Sequence, residues 1–138
     1  MKLRGLARVM AAAGLTGWAV AALASPAQAP GFAALKSLEK GRWQLREAGA
    51  DGRSVCLGDP ATLFQQRHRG VQCSRLTLEN TPTTATVSYS CPGTGHGRTM
   101  ITVETPRLIR IESQGMEGGA PFSLELEGRH VGACVAGK

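Results

Sequence analysis

The chain has 138 residues, with 16 Lys and Arg against 10 Asp and Glu, for a formal charge of +6. Aromatic residues make up only 4% of it, too few to stack along bases, and three of the basic residues fall within the first eight positions, which argues against a nucleic-acid partner. The length suits one domain, and an even set of four cysteines points to disulfide staples in an oxidising compartment.

Residues 1 to 24 read as a signal peptide. Lys2, Arg4 and Arg8 come first, and an uncharged run rich in Ala, Leu and Val extends from Val9 to Ala24. That run is about 16 residues, short of the roughly 20 that cross a bilayer, and Gly14 and Gly17 interrupt it. Cleavage is expected after Ala24. The alternative, after Ala29, would leave Pro30 next to the scissile bond, where it lacks the N–H and the φ freedom of an extended substrate. No cysteine precedes Cys56, so a lipid has no N-terminal attachment point. Removing 24 of 138 residues leaves 114 and takes away three of the positive charges and none of the negative ones, so the mature charge is +3. The expectation is a periplasmic protein with no transmembrane segment after processing, a flexible segment over 25–34 and a single β domain over 35–138.

Phe32, Leu35 and Leu38 recur at three-residue spacing and suggest a short helix over Phe32 to Lys40, ended by Gly41. From Arg42 the period becomes two, with Trp43 and Leu45 on one face and Arg42, Gln44 and Arg46 on the other, the pattern of a strand. A turn over Ala48 to Arg53 leads to a short strand around Val55 to Leu57. Asp59-Pro60 has the form of an N-cap with proline at the first helical position, and Gly70 that of a stop, so a second short helix is expected between Cys56 and Cys73.

Alternating runs follow. Leu76 and Leu78 alternate with Arg75, Thr77 and Glu79; Asn80-Thr81-Pro82 turns into Ala85, Val87, Tyr89 and Cys91. Met100 to Glu104, Leu108 to Ser113 and Phe122 to Leu126 complete the set, separated by a Gly-rich segment, Pro106 and Gly118-Gly119. Strict alternation buries one face of a sheet and wets the other. Short turns between successive runs favour neighbour pairing. The fold expected is mainly β: a single curved antiparallel sheet, a meander or small open barrel, with the two short helices.

Cys56, Cys73, Cys91 and Cys134 allow three pairings, and spacing alone does not choose among them. Pairing in sequence order, Cys56 with Cys73 and Cys91 with Cys134, is preferred; it closes loops of 17 and 43 residues, stabilising by about 3 and 4 kcal/mol. Cys56 with Cys91 would instead pin the helical excursion against the middle of the sheet. No C-x-x-C pair is present for redox chemistry or structural zinc.

Leu38-Glu39-Lys40-Gly41-Arg42-Trp43-Gln44-Leu45-Arg46, Val55-Cys56-Leu57, Tyr89-Ser90-Cys91 and Gly128-Arg129-His130-Val131-Gly132-Ala133-Cys134 together resemble the domain of unknown function 3617 family, small exported proteins of Gram-negative bacteria. The resemblance covers about Leu35 to Cys134. It implies a periplasmic β protein with structural cysteines, and it carries no reaction and no catalytic residues.

Gly93-Thr94-Gly95-His96-Gly97-Arg98-Thr99 is the most suggestive loop. Gly95 and Gly97 would let backbone N–H groups surround an anion or ligand, with His96 and Arg98 adding charge. It lacks the Gly-Lys-Ser/Thr ending of a phosphate loop, and the plainer reading is a hairpin connection. His68, His96 and His130 share no metal-ligand spacing and read as exposed, and Arg67-His68-Arg69 reads as a solvated helix end or a contact for anionic headgroups. Glu125 and Glu127 read as solubilising charge, and no Gly-x-Ser-x-Gly elbow is present. No cofactor, metal or catalytic residue is expected. The expected function is a non-catalytic periplasmic module that binds a small apolar ligand in the sheet's concavity or supports the envelope. The alternatives are a hydrolase-like enzyme with an unrecognised site and a structural protein that binds an envelope protein.

Overall fold

The computed structural model of the chain describes residues 31–135; the expected signal peptide and both cleavage sites lie outside them. Seven strands form one open antiparallel sheet: β1 (Gly41–Glu47), β2 (Arg53–Leu57), β3 (Ser74–Asn80), β4 (Thr84–Cys91), β5 (Gly95–Thr105), β6 (Leu108–Glu117) and β7 (Ala120–Gly132). Their order across the sheet is β2-β1-β7-β6-β5-β4-β3. The chain therefore runs a five-strand meander from β3 to β7 and returns to pair β7 with β1, leaving β2 and β3 as the edges. Among the described residues no helix is long and apolar enough to cross a membrane.

The expected mainly-β, single-sheet class is what folds, but the two helices do not form as α-helices. The first is a 3₁₀ turn, Ala34–Ser37, and the second a 3₁₀ turn, Pro60–Gln65. A three-residue apolar spacing is the period of 3₁₀ geometry, in which i and i+3 eclipse. The second starts where its sequence signal places it: Asp59 caps it, its carboxylate accepting from the Ala61 N–H at 2.9 Å with Pro60 next. Gly70 does not end it; the chain leaves helical geometry earlier and uses Gly70 at φ +73° in a following turn. The packed domain also begins before residue 35, since Ala34 is wholly buried and Phe32 packs on the core at 4.7 Å between ring centroids from Phe64.

Period-two alternation sends Trp43, Leu45, Val87, Ile101, Ile109 and Ile111 to the concave face, where each is essentially inaccessible. Leu63 and Phe64 of the second 3₁₀ turn fill the centre of that concavity. The Thr99 hydroxyl on β5 donates to the Phe64 carbonyl at 2.7 Å and so fixes the turn against the sheet. β3 departs from the expected pattern. Arg75 lies opposite Tyr89 and shares its concave side, so Leu76 points away from the core and is 65% exposed, with Leu78 47% exposed beside a bulge. At a sheet edge, that bulge breaks the regular ladder that would template pairing with another chain.

The disulfides correct the preferred pairing: Cys73 joins Cys91 and Cys56 joins Cys134. In the β3–β4 ladder Ser74 lies opposite Ser90, which places Cys73 directly across from Cys91, with Cα atoms 4.2 Å apart. That proximity is typical of facing residues in an antiparallel pair. Cys56 lies opposite Arg42, and Arg42 opposite Gly132, so the C-terminal tail crosses β1 to bring Cys134 to the edge strand.

Candidate functional site

The segment from Gly58 to Cys73 must travel from one edge of the sheet, β2, to the other, β3. It crosses the concave face and leaves a cleft of about 720 Å³ where both edges approach it. The volume falls in the range of small-molecule sites. Arg53 enters from β2, Arg75 from β3, and Gln65, Gln66 and Arg69 from the crossing segment, with Val55, Leu57 and Leu63 forming an apolar floor. Among the described residues no carboxylate lines this cleft.

The two glutamines are buried, at 6% and 7% exposure, and each is committed on both ends of its amide. Gln65 Nε2 donates to the Val71 carbonyl at 3.1 Å and to Cys73 Sγ at 3.0 Å, while its Oε1 accepts from Arg75 Nε at 2.7 Å and also from Arg75 Nη2. Gln66 Nε2 donates to the Leu63 carbonyl at 3.2 Å, and its Oε1 accepts from Arg53 Nη2. A neutral amide oxygen orients a guanidinium without cancelling its charge. Among the described residues, the ion pairs involve Arg107, Arg110, Arg129 and His130, and none involves Arg53, Arg69 or Arg75. Burial first, and the neighbouring charge of Arg69 second, hold the Arg53 pKa below its ordinary value. It remains a cation at neutral pH, in surroundings that disfavour the charge.

The residues singled out as a possible anion loop do something else. Gly95, His96, Gly97 and Arg98 lie within β5, paired on one side with β4 and on the other with β6, so their backbone groups belong to the sheet ladder and form no cradle. The hairpin reading is the one that folds. The glycines admit neighbours: a Cβ at Gly97 would lie 2.5 Å from Tyr89 Oη, and one at Gly95 would lie 2.8 Å from His68 Nε2.

The histidines also differ from expectation. His96 is exposed, but His68 is 3% exposed, with Nδ1 3.0 Å from Tyr89 Oη and Nε2 buried without a hydrogen-bond partner. Beside it on the concave face, the Ser113 and Thr99 hydroxyls meet at 2.7 Å. Thr99 has one proton and gives it to Phe64, so Ser113 is the donor of that pair. His130 sits on β7, 3.5 Å from the Glu39 carboxylate and 3.1 Å from the Lys40 carbonyl. Arg67 stacks over Phe122 at 5.6 Å, and Arg69 alone of the Arg-His-Arg run reaches the cleft. Among the described residues no group of His, Cys, Asp and Glu is arranged to hold a metal ion. A smaller apolar hollow of about 300 Å³ lies between the two 3₁₀ turns, lined in part by Phe32, Leu35, Leu38 and Pro60.

Arg53, Gln65, Gln66 and Arg75 were not singled out from the sequence. One signal was available: two adjacent glutamines inside an apolar turn, where long polar side chains stay buried only if something hydrogen-bonds them. No family model, curated protein or solved structure matches the chain, so the functional reading rests on this geometry.

Proposed function

We propose that this chain is an exported, non-catalytic binding module of the bacterial periplasm, and that it holds a small ligand in the cleft between its two sheet edges. The observation that carries the reading is the cleft itself: an opening of about 720 Å³ whose arginines are held in place by buried glutamines. The concave face, first expected to hold an apolar ligand, is occupied by the chain's own Trp43, Phe64, Leu63 and Ile101. The signal-like N-terminus supports export. Two disulfides are compatible with an oxidising compartment.

Native mass spectrometry of the protein purified from its own envelope tests the reading. The expected spectrum shows a chain lacking the signal peptide, carrying two disulfides and, in a fraction of molecules, a bound small molecule. A chain that carries nothing and takes up nothing from an envelope extract overturns it.

A further inference from the structure

We infer that the cleft takes an oxyanion: a carboxylate, phosphate or sulfate group held between Arg53 and Arg75. The inference deepens the binding reading above and rests on it. A guanidinium has five N–H donors in a planar fork that matches paired oxyanion oxygens. The Gln66 oxygen takes one of Arg53's, and the Gln65 oxygen takes two of Arg75's. Four donors on one side and three on the other stay available to a ligand, in positions set by glutamines that are themselves fixed.

The charge balance points the same way. Three cations, Arg53 half-buried and Arg69 and Arg75 exposed, border the opening with no carboxylate among the described residues that line it, and the charge of Arg69 disfavours that of Arg53. A second cation near the half-buried Arg53 is unfavourable, and an anion between them relieves the repulsion. Arg53 and Arg69 also border an adjoining hollow whose lining includes Glu47, Asp51 and Glu117, and among the described residues none of those carboxylates forms an ion pair with either arginine. Gln65 and Gln66 stand where Glu would have neutralised the arginines. They preserve their geometry and leave their charge for a ligand.

A free anion and an anionic lipid headgroup offer the same oxygens, and the test separates them. Oxidised mature protein is titrated with inorganic phosphate, citrate, and vesicles of phosphatidylglycerol or phosphatidylcholine, following its thermal midpoint and calorimetric heat. Saturable binding of phosphate or citrate is expected, weakened about ten- to hundredfold by Arg53→Gln or Arg75→Gln. Arg110→Gln, outside the cleft, should leave it unchanged. Binding to phosphatidylglycerol vesicles alone, lost in the same two variants, would support a headgroup as the anion's source. Because Arg53→Gln could alter the fold, each variant is first checked for intact disulfides by peptide mapping; Arg75→Lys, at an exposed position, supplies a second route, keeping the charge but losing the planar fork, and should weaken binding less than Arg75→Gln. Equal binding in all variants, or none to any probe, overturns the inference. Retention of a neutral molecule by the protein from its own envelope would refute the oxyanion while leaving the binding reading standing.

Discussion

Replacing Cys73 and Cys91 together by alanine should cost about 3 kcal/mol, because their bridge closes 18 residues and the unfolded chain regains that loop's entropy. For a domain of about 100 residues this is a fall of roughly 12 °C in thermal midpoint. Replacing Cys56 and Cys134 should cost more, about 4.5 kcal/mol, because that bridge closes 78 residues. The shorter loop lies inside the longer one, but loop entropy depends only logarithmically on length, which alters each figure by a few tenths of a kcal/mol. Urea unfolding of the wild type and both double variants, under non-reducing conditions, measures the two losses. A non-reducing digest gives the pairing directly, with Cys73 and Cys91 in one linked peptide pair and Cys56 and Cys134 in another. A fragment joining Cys56 to Cys73 would refute the register argument. Equal losses in the two double variants would refute the entropic account of their size.

Thr99→Val should cost about 1–3 kcal/mol, since it strips the buried Phe64 carbonyl of its donor and Ser113 of its acceptor; equilibrium denaturation measures it. Gly97→Ala places a methyl group 2.5 Å from Tyr89 Oη and should destabilise by about 1–3 kcal/mol, with Tyr89→Phe in the same chain recovering part of the loss. Burial raises the Tyr89 phenol above its ordinary value of about 10; Glu117 adds to the rise and the Ser113 hydroxyl opposes it. The folded state therefore favours the neutral phenol. Its contribution is complete below the unfolded pKa and lost as pH climbs through the folded one, so stability should decline above about pH 10. Tyr89 is the chain's single tyrosine, and phenolate absorbance in folded and denatured protein reads the shift without overlap. Phe64→Ala should cost about 3–5 kcal/mol and loosen the crossing segment, visible as faster amide exchange.

Most strands are legible in two-residue alternation, because that period is a local property of an extended backbone packed on one side, but β2 shows only as a short run after a turn and the Gly95–Thr99 start of β5 reads as a loop. The alternation did not say which face of β3 turns inward. Leu76 and Leu78 are apolar, but pairing with β4 sets the parity, and it is Arg75 that shares Tyr89's side. The Cys73–Cys91 pair was legible in retrospect: both residues stand nine from Pro82, the centre of a turn already recognised, and an antiparallel hairpin brings symmetric positions together. A histidine between two arginines in a polar run gives no local sign of burial, so His68 reads as exposed. It goes inside because Gly95 and Gly97 leave room next to Tyr89.

The sequence by itself determined the sheet class, the count of staples and the start of the crossing segment, each through a short-range rule of periodicity, cysteine parity or capping. Only the tertiary structure decided the pairing between Cys56 and Cys134, the burial of His68 and the cleft. Arg53 and Arg75 lie on strands at opposite edges of the sheet, and each alone reads as a solvated charge. Curvature of the sheet and the path of residues 58–73 across it bring them to one opening, and no local pattern encodes a meeting of two edges.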